Sequence, residues 1–238
     1  GYLKEIANKM EILSPIEKKT DVIFFYDGFG LNSRGLAQIY IKALCQIKKV
    51  IYITYEDCKE NIPDIQNIIN KNDGRILYIN RSQKKYTEQI LQLCSFASEF
   101  KPHDFFFYSF PNDVVGVTSL NILEGKVTRY QINLTDHAFW LGARCIDKCI
   151  EFRDYGANVS VKYRGISKNI IAKLPFYPII NKDIPFQGFP FRIVNGQKVV
   201  FSGGALYKTF GGKNKYYDII DNILKKYKEF IIWLHIDR

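Results

Sequence analysis

The fold is decided by Asp21-Val-Ile-Phe-Phe-Tyr26, by the segment Asp27-Gly-Phe-Gly-Leu-Asn-Ser-Arg-Gly35 that follows it, and by Val50-Ile-Tyr-Ile-Thr54. The first and last are short, continuous apolar runs, which are typical of strands buried on both faces of a parallel sheet. Between them, apolar residues recur at helical spacing from Leu36 to Ile47. This order predicts a βαβ unit with a right-handed crossover.

The same alternation continues along the chain. It predicts further strands at 75–79, 104–108, 127–133 and 145–152, and helices at 2–16, 62–69 and 87–100. The segment Pro111-Asn112-Asp113 predicts a turn or a helix cap. Strands that alternate with helices predict a doubly wound, Rossmann-like α/β fold.

A second unit is predicted after a proline-rich stretch at 174–197, which is typical of an interdomain linker. The strand, glycine-rich segment, helix and strand pattern then restarts at Lys198 and runs to Leu234. We therefore expect an N-terminal domain at 1–173 and the start of a second Rossmann-like domain at 198–238. One βαβ unit cannot bury both faces of its sheet, so we expect this second domain to be truncated.

The composition is that of a globular protein with a basic surface. The 238 residues are 47% hydrophobic and 24% charged, which argues against disorder or a coiled coil. The net charge of +10 favours anionic partners, either phosphorylated small molecules or an anionic membrane surface. The alternative is a basic surface that only keeps the protein soluble. Basic runs never exceed two residues, so nucleic acid is not predicted as a partner. We find neither a signal peptide nor an apolar run of about 20 residues that could span a bilayer.

The five cysteines, at positions 45, 58, 94, 145 and 149, are scattered and odd in number. That arrangement does not suit a secreted disulfide framework and indicates a reducing, cytoplasmic environment. The basic net charge adds the expectation of peripheral contact with the inner face of the membrane. Cys145 and Cys149 lack further ligands at the spacing of a metal site. We therefore predict no metal and no other cofactor.

The segment after the first strand is the first candidate site. Open α/β sheets bind ligands at the carboxyl ends of their strands, and glycines there let backbone N–H groups approach an anion. We therefore assign substrate binding to Gly28, Gly30, Asn32 and Arg34. The glycine spacing matches neither the dinucleotide fingerprint nor the P-loop, so a tight turn with a helix cap is the alternative.

Two further segments carry candidate residues of the N-terminal domain. Asp136 and His137 follow a predicted strand, and a neutral imidazole beside a carboxylate can act as a general base. A lone histidine is otherwise a structural hydrogen-bonding group. Arg153 and Arg164 follow segments with a strand-like sequence pattern, and we assign both to substrate binding in the cleft. The alternative is that both belong to ion-paired turns.

In the second unit, the candidate residues are Ser202, Gly203, Gly204 and Lys208. A strand followed by glycines and a lysine before a helix could hold a diphosphate through backbone amides and the ammonium group. The alternative is a flexible glycine loop without a ligand.

Four of these stretches resemble the GT-B glycosyltransferases, and in particular bacterial sugar transferases of surface-polysaccharide assembly: Asn133–Gly142, Glu151–Ile166, Leu174–Pro178 and Val199–Gly212. The resemblance also includes the architecture of two doubly wound domains joined by a proline-rich linker. It implies that the N-terminal domain binds a carbohydrate or glycolipid acceptor and that the C-terminal domain binds a nucleotide-sugar donor.

The resemblance implies transfer of a glycosyl group to an acceptor hydroxyl. Basic groups and helix N-termini can neutralise the leaving diphosphate without a metal. For an inverting reaction, His137 steered by Asp136 is the first candidate base and Asp27 the second, whereas a retaining reaction needs no such base. A non-catalytic sugar- or phosphate-binding module and a dinucleotide-binding oxidoreductase are the alternative functions.

Overall fold

The computed structural model describes the chain except for residues 1, 11–19, 32–34, 83, 176–184, 186, 195, 207–208, 210–214 and 238. The chain divides into two compact units, Gly1–Ile180 and Asn181–Arg238. Within the described residues, no helix is both long and apolar enough to cross a membrane.

The first unit alternates strands with helices, as its sequence predicts. Its strands are β1 (Val22–Asp27), β2 (Lys49–Tyr55), β3 (Arg75–Ile79), β4 (Asp104–Tyr108), β5 (Thr128–Ile132), β6 (Lys148–Glu151) and β7 (Ile171–Lys173). Its α-helices are α1 (Tyr2–Lys9), α2 (Gly35–Cys45), α3 (Pro63–Lys71), α4 (Tyr86–Phe100), α5 (Val114–Ile122) and α6 (Asp154–Arg164). Two 3₁₀ turns, Glu56–Asn61 and Lys168–Ile170, complete it.

The seven strands form one parallel sheet in the order β3-β2-β1-β4-β5-β6-β7. Phe25 of β1 lies in register with Tyr52 of β2 on one side and with Phe106 of β4 on the other. The strand order reverses between β1 and β4, and such a switch point is where open α/β sheets form a ligand crevice. The predicted doubly wound α/β fold is confirmed.

The core lies on both faces of the sheet, which explains the unbroken apolar runs of the central strands. Phe24 and Tyr26 of β1 pack into the cluster on one face, and Phe25 and Tyr52 pack into the cluster on the other. All four side chains are fully buried, and each such burial stabilises the fold by about 1.5–3 kcal/mol. Alternate residues of one strand therefore serve two separate cores.

Helices α5 and α6 and strand β7 have no counterpart in the prediction, and the length of one predicted strand differs. Helix α5 buries seven of its nine residues, so it shows no one-sided apolar stripe, although Asp113 does cap it as expected. Helix α6 buries only Gly156 and Ser160, four residues apart, and presents small residues to the sheet in place of an apolar stripe. Strand β6 is also shorter than the predicted 145–152 because pairing with β5 covers only Lys148 to Ile150.

The second unit contains β8 (Lys198–Ala205), α7 (Lys215–Lys226) and β9 (Phe230–Asp237), with β8 and β9 parallel. The glycines expected in a loop after the strand lie inside it, because pairing continues through Gly203 with His235 and Gly204 with Ile236. Phe201 packs edge-on against Trp233, with ring centroids 5.2 Å apart.

Candidate functional site

An open cavity of about 820 Å³ lies at the carboxyl edge of the sheet. The segments that follow β1, β4, β5 and β6 form it, together with the start of α2. Its lining residues are Phe29, Leu36, Tyr108, Ser109, Phe110, Pro111, Leu134, Thr135, Phe152, Arg153 and Pro175. Apolar and aromatic walls with a few polar groups, in this size range and at a switch point, are typical of a small-molecule site.

Arg153 supplies the positive charge of the cavity. Its Nε and Nη2 atoms donate to Oδ2 of Asp136 at 2.8 and 2.5 Å, and the arginine side chain is 67% exposed while the aspartate side chain is 10% exposed. A mostly buried carboxylate therefore holds an exposed guanidinium group against the cavity wall. Arginine in this position can bind a phosphate or a carboxylate.

The predicted pairing of Asp136 with His137 is corrected by this geometry. The carboxylate of Asp136 accepts hydrogen bonds from Arg153, and the structure describes no hydrogen bond between Asp136 and His137. His137 is exposed in the turn after β5, two residues from cavity-lining Thr135. It is therefore open to solvent near the cavity, and Asp136 does not orient it.

Arg164, assigned to substrate binding from the sequence, is a structural donor. From the end of α6, its Nη2 donates to the backbone oxygens of Thr135, Asp136 and Ala138 at 2.6, 3.1 and 2.8 Å. Its Nη1 donates to Ser160 Oγ at 2.9 Å. These bonds occupy the guanidinium group, so Arg164 positions the loop between β5 and β6 and does not line the cavity.

Asp27 is also structural. The residue is fully buried, and its Oδ1 accepts from the backbone N–H groups of Phe29 and Gly30 at 2.9 and 3.0 Å, while Oδ2 accepts from the hydroxyl of Tyr52 at 2.7 Å. Burial is the main cause that raises the pKa of Tyr52, and the negative charge of Asp27 raises it further. The Tyr52 hydroxyl therefore stays protonated. A carboxylate with these donors shapes the turn, which corrects its assignment as the second candidate base.

The glycines after β1 serve packing and not an anion. The backbone N–H of Gly28 donates to the oxygen of Tyr108 at 2.9 Å, and that of Gly30 is taken by Asp27. Gly30 has a φ of +58°, and a Cβ there would lie 2.4 Å from Cβ of Cys58. The turn of the tight-turn alternative is therefore observed, while the helix cap of that alternative falls on residues outside the described part of the chain. Asn32 and Arg34 lie outside the described residues.

A buried polar cluster under α6 was missed by the sequence analysis. Glu151, at the end of β6, is fully buried, and both of its carboxylate oxygens accept from Asn133 Nδ2, at 3.0 and 2.9 Å. Ser160 Oγ donates to the same carboxylate. Burial is the main cause that raises the pKa of the neighbouring Cys149 thiol, and the negative charge of Glu151 raises it further. The available signal was a polar residue at each strand end, as with Asp27.

Asp113 fixes the β4 side of the cavity. Its Oδ1 accepts from the backbone N–H of Gly116 at 2.8 Å and so caps α5, while Oδ2 accepts from the Tyr26 hydroxyl at 2.8 Å and from Ser109 Oγ. Complete burial is the main cause that raises the pKa of Tyr26 well above its ordinary value, and the negative charge of Asp113 raises it further. The orientation of the cavity residue Ser109 therefore depends on a buried network.

The predicted diphosphate residues lie in the second unit. Ser202, Gly203 and Gly204 belong to β8, which corrects the expectation of a glycine loop; strand pairing occupies this backbone segment. Ser202 Oγ hydrogen-bonds to the Tyr216 hydroxyl at 2.8 Å. Lys208 lies outside the described residues. The part of the chain that the structure covers contains no group of three metal-ligating side chains.

Comparisons with known proteins support the fold. No protein-family model matches the sequence, and no curated protein matches it. Among solved structures, MurG from Acinetobacter baumannii is similar, with a TM-score of 0.50 and 9% sequence identity. The match covers 90% of this chain and 65% of the MurG chain. MurG is a glycosyltransferase of the GT-B fold, and at this identity the likeness shows a shared fold alone.

Proposed function

We propose that the protein is a glycosyltransferase that moves a sugar from a nucleotide-sugar donor to the hydroxyl of a carbohydrate or glycolipid acceptor. The observation that carries this proposal is the 820 Å³ cavity at the switch point of a GT-B-like sheet, with Arg153 at its wall. A role in the assembly of surface polysaccharide or glycoconjugates belongs to the same proposal and rests on the sequence resemblance.

The cavity would bind the acceptor. Aromatic walls such as Phe29 and Phe152 can pack against the apolar faces of a sugar or a lipid, while Ser109 and Thr135 offer hydroxyl groups. Arg153 would bind an anionic group of the acceptor or donor, and Asp136 would hold it in position. The basic surface of the chain fits peripheral contact with an anionic membrane, and we propose a cytoplasmic location.

For an inverting reaction, His137 would accept the proton of the attacking hydroxyl. Its exposure, and its place in the loop that carries Thr135, support this role. The leaving diphosphate would be neutralised by Lys208 and neighbouring residues of the second unit, without a metal. For a retaining reaction, the same binding groups would suffice without a base.

A non-catalytic sugar- or phosphate-binding module is the second candidate. It is favoured by one observation: Asp136 is hydrogen-bonded to Arg153, so its carboxylate does not orient the imidazole of His137. Such a module would bind the same ligands in the same cavity and release no product.

The test is release of nucleoside diphosphate from a panel of nucleotide-sugars, with carbohydrate and glycolipid acceptors, by the full chain. A glycosyltransferase releases the diphosphate from at least one donor, and release depends on the acceptor. Arg153→Ala should reduce it, while Arg144→Ala, at an exposed arginine that does not line the cavity, is the matched control. Binding without release would favour the module, and neither binding nor release would contradict both proposals.

A further inference from the structure

A second, much smaller cavity of about 10 Å³ lies next to the large one. Both cavities share Ser109, Phe110, Pro111, Leu134 and Thr135, the residues that follow β4 and β5. The other residues that line the small cavity are Phe107, Gln131, Asn133, Trp140 and Leu141. Its size suits a single oxygen atom of the kind found in a water molecule or a hydroxyl group.

Two residues that line this small cavity each have a buried polar atom with no hydrogen-bond partner in the described part of the chain: Gln131 Oε1 and Trp140 Nε1. Both residues are only 5% exposed, so bulk water does not reach these atoms. One is an acceptor and the other a donor. Buried polar atoms are almost always paired in folded proteins, and a pair of opposite type around a small void indicates a missing partner between them.

The amide orientation of Gln131 is determined by its second hydrogen bond. Its Nε2 donates to the backbone oxygen of Ile132 at 3.1 Å, and a carbonyl oxygen can only accept. Rotating the amide would place two acceptors against each other, so the atom without a partner is the acceptor Oε1.

The indole ring of Trp140 is held by its neighbours. The guanidinium of Arg164 lies 5.5 Å from the ring centroid, and Arg164 also bonds to the backbone oxygens of Thr135, Asp136 and Ala138 in the same loop. The ring belongs to the buried core cluster on that face of the sheet. A ring fixed in this way cannot turn its N–H toward another acceptor at low cost.

We propose that this space is a binding site for one oxygen that accepts a hydrogen bond from Trp140 Nε1 and donates one to Gln131 Oε1. Water and hydroxyl oxygens are the common groups that do both, whereas an ammonium only donates and a carboxylate only accepts. The oxygen comes either from a water molecule or from a hydroxyl of a polyol in the large cavity. In both cases it joins β5 to the loop that carries Asp136 and His137.

The test is a crystal structure of the whole chain, at a resolution that shows ordered water, before and after soaking with D-glucose. We expect an oxygen within about 3.2 Å of both Gln131 Oε1 and Trp140 Nε1. A separate peak that persists in glucose identifies water, and density continuous with a sugar in the large cavity identifies a ligand hydroxyl. An empty space overturns the proposal, as do two atoms bonded to each other or to another protein group.

A solution measurement provides an independent check through the indole N–H signals of ¹⁵N-labelled protein. The chain has two tryptophans, so Trp233 in the second unit is an internal control, and Trp140→Phe or Trp233→Phe assigns the signals. Bound water predicts a cross-peak from long-lived water to the Trp140 indole proton, and a ligand hydroxyl predicts a shift of that signal alone on addition of glucose. The absence of both overturns the proposal. If no nucleotide-sugar were turned over, the proposed glycosyltransferase function would be contradicted, but the proposal of this oxygen site would not.

Discussion

The first loop, which we take to include the strand-end residue Asp27, and the second loop, between β5 and β6, lie at the same sheet edge, and each contains an aspartate predicted to be catalytic. Asp27, the last residue of β1, accepts hydrogen bonds from the backbone N–H groups of Phe29 and Gly30 and from the Tyr52 hydroxyl of β2. Asp136, in the second, holds the exposed Arg153 against a cavity. An acidic residue after a strand can thus complete the architecture or present a charge to a ligand.

The difference arises from burial. Asp27 is fully buried beside Tyr52, so every hydrogen-bonding group near it must find a partner in the protein. Arg153 is paired through one edge of its guanidinium and is mostly exposed, so it retains hydrogen-bonding capacity toward solvent or a ligand. The first loop should therefore respond to mutation through stability, and the second through activity.

The largest effect is expected for Asp27→Ala. This substitution leaves the backbone N–H groups of Phe29 and Gly30 and the Tyr52 hydroxyl without their acceptor. With about 1–3 kcal/mol for each of these three unsatisfied buried groups, the free energy of unfolding should fall by about 3–9 kcal/mol. Urea denaturation measures it. Asp57→Ala, at an exposed aspartate paired with Arg81, should cost less than about 1 kcal/mol; equal losses would contradict the comparison.

The next effect concerns His137. If it is the base of an inverting transfer, His137→Ala and His137→Asn should both lower kcat by about 10²–10⁴, because neither side chain accepts the proton. Steady-state kinetics with the best nucleotide-sugar measures this. His103→Asn, at the opposite end of β4, should leave kcat unchanged. Full activity of the asparagine variant at position 137 would assign that residue a structural role.

The dependence of stability on alkaline pH tests the structural role of the first loop through Tyr52, the hydrogen-bond partner of Asp27. Because the pKa of Tyr52 is raised in the folded state, the unfolded chain loses this proton first, and stability falls as the pH rises above about 10. Tyr52→Phe should make that decline shallower by about 1.4 kcal/mol per pH unit. Cys94 and Cys145, whose pKa values burial raises to about 11, lower stability above about pH 9 in both proteins. Unfolding free energies measured between pH 8 and 11 would contradict this reasoning if the two slopes were equal.

Strands were predictable here because burial on both faces leaves an unbroken apolar run. Strands β3 and β4 have the predicted bounds, whereas α5 and α6 were missed for opposite reasons. Helix α5 is buried almost all round, and α6 contacts the sheet through Gly156 and Ser160, so neither displays an apolar stripe at helical spacing.

The candidate site was predictable in position but not in role. The carboxyl edge was expected to bind a ligand, and the cavity lies there with Arg153 in its wall. Side-chain partners cannot be inferred from sequence neighbours, since Asp136 pairs with a residue 17 positions away and Arg164 reaches back to the backbone oxygen of Thr135. The cavity residues Ser109 and Phe152 lie one position after their strands, which is the signal that could have identified them.

The proposed donor site gives a smaller expected effect. Lys208→Ala should weaken nucleotide-sugar binding by about 1.5–3 kcal/mol, the range for a hydrogen bond to a charged group. Calorimetry with the full protein measures this, and Lys162→Ala, on exposed α6, is a suitable control. Unchanged affinity at position 208 would remove that lysine from the donor site.

The central claim, that the cavity beside Arg153 is the acceptor site, is tested most directly by the acceptor kcat/KM of Arg153→Ala against that of Arg144→Ala. Loss of a charged hydrogen bond worth about 1.5–3 kcal/mol predicts a decrease of about 10- to 150-fold for the first variant. Because Arg153→Ala leaves the mostly buried carboxylate of Asp136 without this donor, its free energy of unfolding should fall by about 1–3 kcal/mol, so kcat/KM is measured at a temperature at which both variants are folded. Arg144→Ala should behave as wild type. Equal kcat/KM values for the two variants would contradict the account.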